Sequence, residues 1–572
     1  MAVGQFPVVI PAKAGIQGLA GALVGAKALG PGFCRDDGTR VAVRGPAPLV
    51  RQGYDLTDAG YSISLPSFEW VQLRVGSTRG SEQAVDAPSP RSTRYRALAD
   101  ELREAIGTGR LAPGAALPSL RACAAQRRLS LNTVTAAYRL LEDHGLIEAR
   151  PQSGFYVAAR LPEPQRALRG APSRALGDRQ DDLAAQVLAA QGRPDHLDLA
   201  LACPHGRRFY PADPLLRTTR SILRRHADVV SRYALPPGDA LLREQVARRA
   251  RRLGMALPAD EVVTTHGATE ALHLALRAVA REGDSIGIEA PAYFNLYPLL
   301  RGLGLRAVEI PTHPRHGLDV DAVARLLRAR ELAALVAMPT VHNPLGCTMP
   351  LAAKQRLAAL AARHRVPLIE DLVYAELQSA DPPEPAVKSF DRDGWVLACA
   401  GFSKTLAPDF RIGWLHAGRY TPTVQQLKFA MSGGESGLLG AAVGRLLQDG
   451  GYERHLKRLR RLCQSQVATV RGLVARHFPA GTSATQPAGG FLLWVELPPS
   501  VDSAALFRAA LAEKIVILPG EVYSAGARYR HCIRLSCCRE IDAAFLAAIE
   551  TVGRLAHAMT TRRGNTSPTR RR

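Results

Sequence analysis

Between Asp195 and about Met559, short apolar runs rich in β-forming residues alternate with helical stretches rich in Ala, Leu and Arg. The clearest apolar runs are Ser285 to Glu289, Ala334 to Met338, Pro367 to Glu370 and Trp395 to Ala400. Strands that alternate with helices along a chain indicate a parallel sheet covered by helices. This alternation therefore predicts an α/β domain of more than half the chain.

Length and charge set the wider limits. The 572 residues correspond to roughly three to four domain-sized units, at about 150 residues each. Apolar residues make up 47% and charged residues 22%, which excludes collagen-like, coiled-coil and wholly disordered chains. The formal net charge of +23 favours a polyanionic partner, either nucleic acid or an acidic membrane surface.

The cysteine pattern and the hydropathy indicate the cellular compartment in which we expect the protein. The nine cysteines are scattered and form no C-x-x-C pair, which disfavours zinc or thioredoxin chemistry and indicates reduced thiols. No uninterrupted apolar run approaches the roughly 18 residues that span a bilayer. We therefore expect a cytoplasmic protein with no metal site and no membrane segment.

Composition marks the boundaries between domains. Residues 1–92 are rich in Gly, Pro and Ser without a sustained period, which predicts a disordered extension. Residues 161–194 combine prolines with arginines, as a semi-extended, soluble linker would. Residues 560–572 are basic and predict a disordered tail. The predicted folded domains are therefore 93–160 and 195–559.

The first folded domain reads as three helices and a small hairpin. An apolar stripe from Tyr95 to Ile106 predicts the first helix. Ser119 and Ser130 can cap the second and third helices. Two short β-prone pieces then flank a turn at Ser153-Gly154. This order is a winged helix-turn-helix pattern.

The predicted third helix begins with side chains suited to reading DNA. After the capping Ser130, Asn132 can bond adenine bidentately and Thr133 can contact a base edge or a thymine methyl. The residues expected to meet phosphates, or to let the wing approach a groove, are Arg121, Arg127, Arg128 and Gly154. The alternative is a small helical interaction domain, in which Asn132 and Thr133 are ordinary residues of a capped helix.

The whole span from Tyr95 to Val157 resembles the GntR-type winged helix. The segments that carry the resemblance are Arg110-Leu-Ala-Pro-Gly114, Leu117-Pro-Ser-Leu-Arg121, Asn132-Thr-Val134, Leu141-Glu-Asp-His-Gly-Leu-Ile147 and Ser153-Gly-Phe-Tyr-Val157. The resemblance implies salt-sensitive binding to double-stranded DNA.

In the second domain, functional side chains follow the predicted strands. Ser403-Lys404 comes after the run that ends at Ala400, and its amine can form a Schiff base with an aldehyde. Asp371 ends another run, and an ionised carboxylate there can keep a pyridine nitrogen protonated. A lysine and an acid in these roles are what pyridoxal 5′-phosphate requires.

Further residues match the phosphate, the phenolic oxygen and the ring face of the same cofactor. Arg411 can pair with the phosphate, and Gly267, Ala268 and Thr269 open a helix whose free N–H groups can hold it. The residues expected at the ring are Asn343 and Tyr374, as donors to the phenolic oxygen, and Tyr293, lying flat over the pyridine. The sequence thus predicts a complete set of cofactor contacts.

The order of these motifs over residues 195–559 resembles the aspartate-aminotransferase family, fold type I. The flanking segments Tyr233-x-x-Pro-x-Gly238 and Ile533-Arg-Leu-Ser536 extend the resemblance. It implies an α/β PLP-dependent transferase fold with large and small subdomains, assembled as a homodimer. It also implies that Tyr233 reaches the phosphate of the neighbouring subunit and that Arg534 forks onto the α-carboxylate. Gly401 departs from the pattern, which usually has Ser or Thr three residues before the lysine.

A GntR-type reader joined to an aminotransferase-like domain is the arrangement of MocR-type transcriptional regulators. The resemblance implies a PLP-dependent regulator that senses an amine or amino-acid effector through aldimine exchange at Lys404 and changes its grip on an operator. One alternative is a working aminotransferase, in which Lys404 shuttles the α-proton. The other is a DNA-binding protein whose C-terminal half is a scaffold without cofactor.

Overall fold

The computed structural model of the protein describes residues 90–108, 110–150, 153–158, 161–168 and 178–562. Most of the predicted disordered extension and of the predicted basic tail lies outside these residues. The first described helix begins at Pro90 and the last ends at Arg562, so each reaches a short way into those segments. Among the helices of the described part, none combines the length and apolarity needed to cross a membrane.

The N-terminal domain has the predicted winged helix-turn-helix architecture. Its elements are α1 (Pro90–Gly107), α2 (Leu120–Arg127), α3 (Leu131–Asp143), β1 (Ile147–Arg150) and β2 (Gly154–Val157). Ser119 and Ser130 cap α2 and α3 as predicted, because their hydroxyls accept the N–H groups of Ala122 and Thr133, each at 3.2 Å. Tyr138 is fully buried between the helices and donates its hydroxyl to Pro118 O at 2.9 Å.

The predicted linker packs against the C-terminal domain over the residues described. Leu161 is buried, its carbonyl accepts a bond from Arg471 Nη2 at 3.2 Å, and the next carbonyl, of Pro162, accepts Ala484 N at 2.9 Å. Residues Asp178–Gln191 form α4, whose Leu183 and Val187 enter the core of the C-terminal domain. The proline content predicts a solvated tether, but residues 161–168 lie against the C-terminal domain instead. We call this segment the strap.

The C-terminal domain contains two separate main sheets. Its strands are β3 (Leu197–Asp198), β4 (Val262–His266), β5 (Ser285–Ala290), β6 (Arg306–His313), β7 (Gly317–Leu318), β8 (Ala334–Ala337), β9 (Leu368–Asp371), β10 (Val396–Gly401), β11 (Ile412–His416), β12 (Ser483–Ala484), β13 (Leu492–Glu496), β14 (Ile515–Val516), β15 (Leu518–Pro519) and β16 (Cys532–Ser536). The larger sheet has the order β4-β11-β10-β9-β8-β5-β6-β7, and the smaller has the order β12-β13-β16-β15. These sheets form the large and small subdomains.

Helices cover both sheets. They are α5 (Ala212–Arg225), α6 (Ala240–Ala250), α7 (Gly267–Val279), α8 (Leu296–Gly302), α9 (Val320–Arg328), α10 (Leu351–His364), α11 (Thr421–Ser432), α12 (Gly437–Gln448), α13 (Gly451–His477), α14 (Ser503–Ala512) and α15 (Ala543–Arg562). The core strands β5, β8, β9 and β10 are parallel, as predicted, and nearly all their side chains are buried. β11 runs antiparallel to both of its neighbours, which the alternation of runs did not reveal.

Candidate functional site

The predicted cofactor residues meet at one edge of the large sheet. The parallel strands β5, β8, β9 and β10 all point their carboxyl ends to that edge, and β4 does so too because both it and β10 oppose β11. Each strand is followed by a predicted site residue: Gly267 after β4, Tyr293 after β5, Asn343 after β8, Asp371 at the end of β9 and Lys404 after β10. Ligands of open α/β sheets bind at this edge.

Lys404 lies in a setting that favours its neutral amine. Burial lowers its pKa below the ordinary value, and the guanidinium groups of Arg534 and Arg411 lower it further. The nearby Cys203 and Asp371 act in the opposite direction without reversing the change. A lysine with a lowered pKa has more of the free amine that attacks a carbonyl carbon.

Asp371 is buried and ionises with difficulty in the protein alone. Burial is the main cause that raises its pKa to about 7, and the carboxylates of Glu289 and Glu370 add to the rise. The N–H of Val373 donates to Oδ1 at 2.9 Å and partly offsets the effect, as does Lys404. A carboxyl in such surroundings is held ionised by an adjacent cation, which a protonated ring nitrogen provides.

This raised pKa predicts a pH-dependent stability of the cofactor-free protein. The folded state keeps a proton that the unfolded chain releases above about pH 4, so the stabilisation is full below that pH and is lost as pH rises through about 7. We expect the free energy of urea unfolding to fall by about 2–3 kcal/mol more between pH 5 and 7 in the wild type than in Asp371→Asn.

The matched control is Glu496→Gln, because Glu496 is a second, partly buried carboxyl whose pKa is raised by burial to about 7. That variant should lose only its own share of the pH dependence and keep the share of Asp371. Parallel profiles for the wild type and Asp371→Asn would contradict the assignment.

The start of α7 and Arg411 form an anion cradle. Gly267 has φ 71°, and a Cβ there would lie 2.7 Å from Arg411 Nη2, so only glycine lets the guanidinium cross the helix N-terminus. Arg411 Nη1 donates to Ser403 Oγ at 3.0 Å, which places the guanidinium beside the loop of Lys404. Free N–H groups and a fixed guanidinium are the usual partners of a phosphate.

The structure gives a reason for Gly401. A Cβ at this position would lie 3.1 Å from Ala268 N, in the first turn of α7. The serine or threonine of the family pattern would therefore crowd the N–H groups of the cradle unless the strand moved. Close packing of β10 against the helix start replaces a hydroxyl contact here.

Of the residues expected at the ring, Asn343 and Tyr374 are buried and Tyr293 is partly buried. Asn343 is 2% exposed, and its Oδ1 has no partner among the described residues. Burial raises the pKa of Tyr374 and of Tyr293, and in both cases the charge of Arg534 acts in the opposite direction. The two phenols therefore lie within electrostatic reach of the Arg534 guanidinium.

Arg534 lies in the middle of β16 and faces into this pocket. Its side chain is 1% exposed, and its Nε and Nη1 atoms have no hydrogen-bond partner among the described residues. Leu518 and Trp494 flank it on the neighbouring strands. A buried guanidinium of this kind is stabilised by an anion, and its planar fork fits a carboxylate.

Tyr233 is the one predicted cofactor residue that lies apart. Its side chain is 90% exposed, on the turn before α6. The same turn contains Gly238, which has φ 97° and where a Cβ would overlap Thr264 Oγ1. Tyr233 is thus held away from the pocket of its own chain.

Sequence patterns did not identify Lys428 and His342 as residues that support the site. Lys428, on α11, is fully buried and binds Glu270 Oε2 at 2.7 Å and Glu435 Oε2 at 3.2 Å, which ties the first turn of α7 to the loop before α12. His342 Nε2 lies 3.3 Å from Glu289 Oε2, and its Nδ1 accepts Leu345 N at 3.2 Å, which fixes the loop that carries Asn343. The only sequence signal was the position of Glu270 and His342 beside motif residues.

The DNA-reading residues divide into two groups. Asn132, Arg121 and Arg128 are exposed, at the start of α3 and along α2. Ser130 and Thr133 bond each other through their hydroxyls at 2.7 Å, and Arg127 pairs with Glu101 at 2.8 Å. Gly154 has φ 102° and open space around its Cα, so its backbone conformation is what requires glycine.

Comparison with known proteins agrees with this arrangement. The gntR family of bacterial regulatory proteins matches residues 94–157, and the aminotransferase class I and II family matches residues 209–548. The HTH-type transcriptional regulators YjiR and YdcR of Escherichia coli K12 are 34% and 35% identical, each over 81% of this chain and 98% of its own length. The chain belongs to the MocR-type regulators. The predicted GntR-type winged helix followed by an aminotransferase-like domain is thereby confirmed.

The aminotransferase domain of this regulator also resembles solved enzymes. The structure of LysN, the α-aminoadipate aminotransferase of Thermus thermophilus, is 25% identical, has a TM-score of 0.61, and matches 67% of this chain and 98% of its own. The fold type I architecture of the C-terminal domain is therefore shown by structure as well as by sequence.

Proposed function

We propose that the protein is a PLP-dependent transcriptional regulator that responds to an amine or amino acid at Lys404. The observation that carries this proposal is the joint presence, in one chain, of a recognition helix with an exposed first turn and of cofactor partners that meet at one edge of the large sheet. Asn132 stands at the start of α3, while Lys404, Asp371 and Arg534 converge at the sheet edge.

The residues fit pyridoxal phosphate at each functional group. The cradle of Arg411 and the α7 N-terminus suits the phosphate, and Asp371 suits the ring nitrogen. The buried Asn343 suits the phenolic oxygen, to which its amide N–H can donate. When bound, the cofactor supplies an aldehyde that condenses with amines and a protonated ring that withdraws electrons.

The chain's own groups explain how an effector is held. Burial and two guanidinium groups lower the pKa of Lys404, which favours the free amine beside the cofactor site. An amino acid that competes for the same carbonyl carbon places its carboxylate near Arg534, whose Nε and Nη1 atoms are free to bind it. The effector would then be held by both subdomains, since the cofactor cradle of Arg411 belongs to the large one and Arg534 to the small one.

A hydrogen-bonded loop, residues 486–490, supports coupling between this pocket and the DNA-binding domain. Ala488 N donates to Gly346 O at 2.8 Å, in the loop of Asn343, and Gly490 N donates to Leu377 O at 2.9 Å. Arg471, on α13, bonds both Ala484 O at 2.8 Å and the strap. A small-domain movement therefore moves the strap as well.

The winged helix rests on the same helix α13. Gly145 packs against Ala468, where a Cβ on the glycine would come within 2.8 Å of the alanine Cβ, and Glu148 forms an ion pair with Arg476. The small subdomain can be open or closed over the large one. An effector that binds one of these two states more tightly shifts the equilibrium towards it and, through α13, changes the position of the DNA-reading helix α3.

A homodimer is part of this proposal. The turn of Tyr233 adjoins α5 and α11, where large apolar side chains are exposed: Leu216, Leu223, Leu235, Phe429 and Met431. Such a patch is typical of a protein interface. A second copy covering it would bring Tyr233 to the partner's phosphate site.

A working aminotransferase is the second candidate, favoured by the match to LysN over nearly the whole length of that enzyme. Lys404, Asp371 and Arg534 would support transamination as well as sensing. Turnover of an amino-acid and keto-acid panel at rates typical of enzymes, about 1–1000 per second, together with no specific DNA binding, would favour this candidate.

Footprinting on the DNA beside the gene tests the regulatory proposal. We expect protection of a repeated half-site, a change of the footprint when effective amines are added, and a loss of sequence preference in Asn132→Ala. Arg128→Ala is the matched variant, which should weaken binding to all sequences alike, since a phosphate contact carries no base information. Protection that is equal on any DNA would refute the proposal.

A further inference from the structure

Tyr523 occupies the junction of the two subdomains. Its side chain is fully buried, and its ring packs edge-on against Trp494 at 5.3 Å and against Phe294 at 6.0 Å between centroids. Its carbonyl accepts bonds from Ala292 N at 3.0 Å and Tyr297 Oη at 3.1 Å. Ring and backbone are therefore both fixed before any ligand binds.

The hydroxyl of Tyr523 lies among the groups of the effector pocket. Burial raises the pKa of this phenol above its ordinary value, while the nearby Arg534 guanidinium acts against the rise and Tyr293 adds to it. The phenol is therefore protonated at neutral pH and can donate. Its Oη has no partner that meets hydrogen-bond geometry among the described residues.

Three buried donors thus lie close together, with no acceptor in hydrogen-bond geometry in the part of the chain that the structure describes. They are Tyr523 Oη, Arg534 Nε and Arg534 Nη1. A buried polar group left without a partner is unfavourable, so an arrangement of three is expected to receive an anion. A carboxylate has two oxygens and enough lone pairs to accept all three bonds.

We propose that Tyr523 donates a hydrogen bond to the effector carboxylate beside Arg534 and thereby selects amino acids over the corresponding amines. This inference rests on the proposed function, because it places the effector carboxylate at Arg534. It adds the ligand class: the effector carries a free carboxylate as well as an amine. The phenol is a specificity-determining contact, placed by Trp494 and Phe294.

Tyr529 provides a matched control. It is also buried and its ring packs edge-on against Trp494, at 5.6 Å between centroids. Its hydroxyl, however, is associated with Arg528 and not with Arg534. Tyr529→Phe therefore removes an equivalent oxygen from the same aromatic cluster without touching the proposed carboxylate site.

The test uses the full-length protein loaded with pyridoxal phosphate and isothermal titration calorimetry. The probes are the twenty proteinogenic L-amino acids and, for the tightest of them, the amine that lacks its carboxylate. We expect Tyr523→Phe to raise the dissociation constant of the amino acid by roughly ten- to hundredfold, as for a lost bond to a charged group, and to leave that of the amine unchanged. Tyr529→Phe should leave both constants unchanged.

Two outcomes would overturn the inference while the proposed function stands. Unchanged amino-acid affinity in Tyr523→Phe would show that the hydroxyl makes no contact. Equal weakening of the amino acid and the amine would show that Tyr523 only packs the pocket. If the wild type binds neither amino acids nor amines, the proposed function itself fails, and this inference fails with it.

Discussion

Lys404→Ala is expected to abolish the visible absorption of added pyridoxal phosphate and the response of DNA binding to amines. The reason is chemical, because the methyl side chain of alanine has no amine to join the aldehyde or to compete with an effector. DNA binding without effector should persist, since the exposed residues of α2 and α3 are untouched. Absorption spectra and gel-shift titrations with the same protein preparation measure both effects.

Lys457→Ala is the control for this change. Lys457 is exposed on α13 and contacts none of the cofactor residues described above. It should retain the absorption band and the amine response of the wild type. A Lys404→Ala variant that kept both properties would contradict the assignment of the site.

Lys428→Met is expected to destabilise the protein by about 3–5 kcal/mol, because it leaves two buried carboxylates without their cation. Burial alone would raise the pKa of Glu270, but the bonds from Lys428 and neighbouring donors lower it overall. Without Lys428 that carboxyl should take up a proton, and the first turn of α7 should lose its anchor. Urea unfolding and phosphate binding report the two effects.

The double variant Lys428→Met with Glu270→Gln supplies the control. Removing one carboxylate together with the cation leaves less buried charge unpaired, so part of the lost stability should return. A single variant as stable as the wild type would show that the cluster does not support the cradle. A double variant less stable than the single one would show that the two charges do not compensate each other.

The sequence revealed the positions of site residues that follow strands. Lys404, Asp371, Asn343 and Tyr293 each come soon after an apolar run, and parallel strands carry such residues to one edge whatever the loops do. Local sequence patterns were sufficient for these residues, because each lies only a few positions after the end of its strand. Ser119 and Ser130 were predictable as helix caps for the same reason.

Local sequence patterns did not predict the interactions between segments that are distant along the chain. Lys428 and Glu270 are 158 positions apart, and a lone lysine in an apolar helix ordinarily lies at the surface. The strap at 161–168 was read as a tether because prolines dominate its composition, whereas its attachment depends on Arg471, more than 300 residues later. The direction of β11 likewise follows from pairing, which periodicity does not encode.

Arg127 shows the same limit within the DNA-binding domain. Its charge and position suggested a phosphate contact, but the side chain pairs with Glu101 of α1. Contact with DNA would require the phosphate to take the place of that carboxylate. Asn132, Arg121 and Arg128 are exposed, and their contact with DNA stays a prediction.

Borohydride reduction followed by peptide mapping tests whether pyridoxal phosphate is attached to Lys404 and whether its release by an amine changes DNA binding. The full-length protein is loaded with pyridoxal phosphate and reduced with and without an effective amine, and the labelled peptide is identified by mass spectrometry. We expect a single label at Lys404, and we expect that label to decrease in proportion to the amine-induced change in DNA binding. A label on any other lysine, or DNA binding that changes while the label at Lys404 stays constant, would contradict it.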